Sequence, residues 1–99
     1  MIIRVVHMFF KEEEVPAFLT IFESSAEKIR SFEGCQGLEL WENKTIKGGF
    51  TTYSFWENEA DLEKYRKSEL FAKTWKATKL LFAEKPIAFS FEQTRFVLK

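Results

Sequence analysis

Ile2-Ile3-Arg4-Val5-Val6-His7-Met8-Phe9-Phe10, followed by Lys11-Glu12-Glu13-Glu14, is the stretch on which the fold turns. β-Branched and aromatic residues dominate it, so it reads as a strand that ends at the charges. Alternation places Ile3, Val5 and Phe9 on one face, and Ile2, Val6, Met8 and Phe10 on the other. A strand with one wet face would carry polar side chains there, whereas both faces here are apolar.

Downstream the period changes. Val15, Phe18, Leu19, Phe22, Ala26 and Ile29 fall at helical spacing, while Glu23, Glu27, Lys28 and Arg30 lie off the stripe. A helix is expected from about Glu13 to Phe32, with Pro16 in its first turn and Gly34 as a left-handed C-terminal cap. Residues 36–42 and 50–56 read as strands joined by a hairpin loop through Gly48-Gly49. Trp41 and Trp56, on these strands, are expected at the rim of the core or in a subunit contact. Asn58 and Ser68 are N-cap residues for two helical pieces. The second carries Phe71, Thr74, Trp75, Thr78 and Phe82 on one stripe, and Pro86 is expected to close it. A last strand runs from Ile87 to about Glu92, and residues 93–99 read as an edge arm through Phe96 and Val97.

The order is β-α-β-β-α-β, a ferredoxin-like α+β domain over residues 1–99 with a four-stranded antiparallel sheet. Two helices shield one face of such a sheet. The other would display large apolar side chains, and a second copy of the chain is the expected cover, making a homodimer.

Composition narrows the function. Fifteen acidic and fifteen basic residues cancel, so no overall field draws the chain to nucleic acid or an anionic membrane. Lys64, Arg66, Lys67, Lys73, Lys76 and Lys79 are interrupted by Glu63 and Glu69 and read as a solvated face. Twelve Phe and three Trp supply apolar material beyond one core. Cys35 is the only cysteine, which excludes an intrachain disulfide and fits a reducing, cytoplasmic setting. One His and one Cys cannot build a zinc site of the usual kind, and Gly48-Gly49 precedes a strand rather than a phosphate-binding helix. Neither a metal nor a cofactor is expected.

Trp56-Glu57-Asn58-Glu59-Ala60-Asp61-Leu62-Glu63-Lys64-Tyr65, running into Ser68-Glu69-Leu70-Phe71, resembles the antibiotic biosynthesis monooxygenase family. So does Phe32-Glu33-Gly34-Cys35-Gln36-Gly37. The resemblance implies a dimeric α+β barrel, and often a cofactor-free oxygenase acting on a phenol, quinol or polyketide-like aromatic. It also implies departures. The haem-degrading branch carries an axial histidine where this chain has Trp75, and an asparagine and a tryptophan where it has His7 and Tyr65.

His7 is the sole histidine. It is open to two readings: a buried imidazole bonded to a backbone carbonyl, or a general base at the floor of a cleft between sheet and helices. Tyr65 and Trp75 are either core or the walls of an apolar pocket shared with Phe71, with the Tyr65 hydroxyl offered to a substrate oxygen. Thr74 and Thr78 place hydroxyls in a buried stripe. A polar ligand, a water or a carbonyl one turn earlier would satisfy them. Arg4 interrupts an apolar face, and either pairs with a carboxylate, reaches water, or holds an anionic group. Two functions follow: a cofactor-independent monooxygenase with His7 and Tyr65 at its centre, or a non-enzymatic dimer that binds a small apolar or aromatic molecule or serves as a structural domain.

Overall fold

The computed structural model describes residues 1–97. In chain order the elements are β1 (Ile2–Phe10), a 3-10 turn (Glu12–Glu14), α1 (Val15–Arg30), β2 (Cys35–Glu42), β3 (Gly49–Trp56), α2 (Glu59–Arg66), α3 (Glu69–Lys79) and β4 (Phe82–Glu92). The strands form one antiparallel sheet in the order β2-β3-β1-β4. This is the expected ferredoxin-like layer pair.

Local chemistry explains the boundaries. Pro16 lies in the first turn of α1, where no intrahelical N–H bond is lost. The Asn58 side chain accepts from the Asp61 N–H, and Ser68 Oγ accepts from the Phe71 N–H, so both expected caps start their helices. Gly34 is left-handed, with φ of 85°, but it does not cap α1; Ser31 does. The glycine instead turns the chain into β2, and a Cβ there would collide with the Asp61 carboxylate.

The expected third stripe runs too far. The helix stops at Lys79, and Phe82 is the first residue of β4, opposite Phe10. Pro86 therefore lies inside a strand and does not close the helix. Two facts permit this: β4 is a sheet edge, and its register slips between the His7–Ile87 and Phe9–Glu84 pairings, so the missing N–H costs no ladder bond. Beyond Glu92, residues 93–97 have no regular structure, though the Gln93 N–H donates to the Met1 carbonyl. The rest of the expected arm, residues 98–99, lies outside the described residues.

Helices cover the face bearing Ile2, Arg4, Val6, Met8 and Phe10. The core beneath them is in two pieces: Met8, Phe10, Phe18 and Phe50 at one end, and Cys35, Trp56 and Leu62 at the other. Trp56 is fully buried, at the centre of the second piece and not at a rim. The opposite face carries Ile3, Val5, His7 and Phe9 of β1, Tyr53 and Phe55 of β3, Trp41 of β2, and Ile87, Phe89 and Phe91 of β4. Trp41 stacks on Tyr53 at 4.6 Å, yet Phe89 and Phe91 remain about half exposed, at 48% and 51%. Among the described residues no helix is long and apolar enough to cross a membrane.

Candidate functional site

Between the two core pieces the sheet is floored by short side chains, and this opens a cavity of about 290 Å³. Thr52, Val6 and Ala88 stand side by side across β3, β1 and β4; the next row holds Ser54, Arg4 and Ser90. Large residues bracket these rows: Met8 and Phe50 on one side, Trp56 on the other. The helices rest on the large residues and bridge the small ones.

The roof is aromatic. Tyr65 stacks on Trp56 at 5.0 Å and meets Phe71 edge-on at 5.3 Å; Phe71 lies parallel to Trp75 at 5.9 Å, and Trp75 abuts Phe82 at 5.6 Å. Rings thus run from one core piece to the other, and most of the cavity wall is apolar. Tyr65, Phe71, Thr74, Trp75 and Thr78 all line it, so five of the six residues expected to be catalytic or pocket-lining converge.

His7 is the sixth, and it does not join them. Neighbouring strand residues point to opposite faces. Val6 and Met8 face the cavity, and His7 faces the bare side of the sheet, with Nδ1 2.8 Å from Thr51 Oγ1 and Phe89 edge-on at 6.4 Å. Among the described residues of one chain, no cleft joins His7 to Tyr65 and Trp75. The imidazole's partner is also a hydroxyl, not the backbone carbonyl of the alternative reading.

The hydroxyls divide. Thr78 Oγ1 donates to the Thr74 carbonyl at 2.8 Å and is satisfied without a ligand. Thr74 is half-buried on the cavity wall. Burial, helped by the nearby Cys35, pushes the Tyr65 phenol up to about 12, so near neutral pH it keeps its proton and has an O–H to donate. Burial likewise raises the Cys35 thiol, which leaves it protonated and a poor nucleophile.

The Tyr65 shift carries a prediction about stability. Because the folded phenol holds its proton more tightly than the unfolded one, its contribution is complete below pH 10 and is lost as pH rises toward 12. The change is roughly 2 kcal/mol. Urea midpoints from pH 9 to 12 should therefore fall more steeply for the native chain than for Tyr65→Phe. Parallel curves would show that the phenol is not held neutral by burial.

Arg4 carries more than the sequence suggested. It lines the cavity, pairs with no carboxylate among the described residues, and donates from Nη1 to Ser90 Oγ at 2.9 Å. Burial, and then Arg66 nearby, lower its proton affinity. Arg66 lines the same cavity while paired with Glu63 at 2.9 Å. As one charge in a basic helical run it read as solvated; only the fold brings it to Arg4.

No curated protein matches the chain by sequence. Solved structures match its fold closely. An antibiotic biosynthesis monooxygenase superposes with a TM-score of 0.88 at 18% identity, covering 96% of this chain and 100% of the other. A conserved protein from Methanosarcina mazei gives 0.88 at 20% identity over 95% and 94% of the two chains. A candidate antibiotic biosynthesis monooxygenase from Deinococcus radiodurans gives 0.90 at 16% identity over 100% and 98%. At such identities the likeness is one of fold. The family model for antibiotic biosynthesis monooxygenases matches residues 1–77, from the first strand through most of α3 and across the cavity-lining residues from Arg4 to Trp75, and the chain belongs to that family.

Proposed function

We propose that the chain is a cofactor-independent monooxygenase, working as a homodimer on a small aromatic, quinol or polyketide-like molecule held in the cavity between sheet and helices. The observation that carries this reading is the cavity itself: a partly open, ring-lined space with a neutral phenol and two guanidinium groups on its wall. Its size suits a small ligand, near the lower end of ordinary binding pockets.

The chemistry asks little of the protein. A methylene activated by flanking rings gives up a proton to solvent as it binds, and the carbanion passes one electron to dioxygen. The resulting radical and superoxide combine into a peroxide anion, which takes up a proton. Loss of water then cleaves the O–O bond and leaves a ketone. In sum, one methylene compound and one dioxygen give one ketone and one water. Tyr65 donates a hydrogen bond to the substrate oxygen, Trp75 and Phe71 hold the ring plane, and the apolar wall keeps bulk water from the carbanion.

Oxygen uptake with a panel of hydroquinones and anthrone-like compounds tests the reading. Tyr65→Phe should lower kcat/KM by about tenfold, the size of one lost hydrogen bond. Trp75→Ala should lower it further. Tight binding of these compounds without any oxygen uptake would favour the non-enzymatic ligand-binding dimer instead.

A further inference from the structure

The ionisable side chains on the cavity wall are Arg4, Tyr65 and Arg66. None of these types changes charge near neutral pH, and the one imidazole of the chain faces the other way. Among the described residues the wall includes no carboxylate. It therefore offers no general base, but it does offer positive charge.

We propose that the cavity recognises its ligand as an anion: a planar aromatic whose ionised oxygen, as carboxylate, phenolate or enolate, sits against Arg4 with Arg66 behind it. The inference deepens the monooxygenase reading, and rests on it for the cavity being the reaction site. Three observations carry it. Arg4 lies in the polar cross-strand row Ser54–Arg4–Ser90, next to the Thr52–Val6–Ala88 row of the cavity floor, and is the one charged residue in either row. Its hydrogen-bond partner among the described residues is the neutral Ser90 hydroxyl, and no carboxylate bonds to it, with Glu63 attracting it only through space. Glu63, the carboxylate whose charge acts on Arg4, is itself paired with Arg66 at 2.9 Å.

A half-buried guanidinium with donors to spare binds an oxyanion more strongly than the corresponding neutral group. It also lowers the pKa of a bound phenol or enol, because the opposite charge favours the anion. The protein then obtains the reactive anion by selecting it, and the proton leaves to solvent without a protein base.

Two probes without oxygen chemistry test this, both under anaerobic conditions with the full chain. Naphthoate and naphthamide share shape and differ in charge; tryptophan fluorescence reports their binding. Naphthoate should bind at least about tenfold tighter, and Arg4→Gln should erase that ratio while leaving naphthamide affinity little changed. Para-nitrophenol, whose phenolate is coloured, should ionise on binding at a pH just below its own pKa, and not with Arg4→Gln. Equal affinity for naphthoate and naphthamide in the native chain, which requires no variant to fold, would overturn the inference. So would a ratio that survives in a folded Arg4→Gln protein. Charge selection without oxygen uptake would leave this inference standing and sink the oxygenase reading alone.

Discussion

Trp56→Ala is expected to cost about 3–5 kcal/mol, close to the whole stability of a domain this small. Trp56 has no exposed surface, stacks on Tyr65 and meets Phe32 edge-on at 6.4 Å. Its indole N–H donates to Ser54 Oγ at 2.9 Å. Deleting it would merge a new void with the cavity beside Ser54, and remove the support beneath the Tyr65 ring. Chemical denaturation followed by far-UV circular dichroism measures the loss. Trp56→Phe keeps the aromatic contact and gives up the N–H bond, so it should cost only about 1–2 kcal/mol. A cost under about 1 kcal/mol for the alanine variant, the usual scale of a surface change, would show that Cys35, Trp56 and Leu62 do not act as a core.

The second large effect concerns the bare side of the sheet. In the homodimer proposed above, that side is the surface a second copy covers. Phe89 stands on its edge strand, between Ile87 and Phe91 on β4 and close to His7 on β1. Phe89→Glu would place two carboxylates, one per subunit, in a largely apolar contact that has no Lys or Arg beside Phe89 on β4. The dimer dissociation constant is expected to rise by at least about 100-fold. Sedimentation velocity at micromolar concentration reads the change, and the circular dichroism spectrum should stay the same because Phe89 is half exposed in the single chain. A native chain that sediments as a monomer would remove the dimer, and an unchanged dimer in Phe89→Glu would place the contact elsewhere.

Element order, both helix caps and the hairpin were legible in the residues because each depends on short-range chemistry: Asn58 and Ser68 cap, and Gly48 turns with φ of 78°. The end of α3 was not. Phe82 continues the helical spacing of Phe71, Trp75 and Thr78, and what takes it out of the helix is a distant partner, Phe10. The candidate site failed at one point for a similar reason. Alternation separates His7 from Val6 and Met8 without ambiguity. However, both faces of β1 are apolar, so nothing local says which one the helices will choose. Arg4 lay on the chosen face, and its interruption of the Ile2–Val6–Met8–Phe10 series was the signal that deserved more weight. Arg66 could not be found this way, since its place opposite Arg4 depends on how α2 crosses the sheet.

The position of Pro86 bears on solubility. Ile87-Ala88-Phe89-Ser90-Phe91 is uncharged and rich in β-forming residues, the composition that lets identical strands from different molecules stack without limit into fibrils. It also lies on an open margin of the sheet, where such growth would begin. The imide ring at one end and Glu92 at the other act as gatekeepers, since an incoming strand would meet a missing donor and then a like charge. The proline that the helix did not need for its ending protects the segment that follows it.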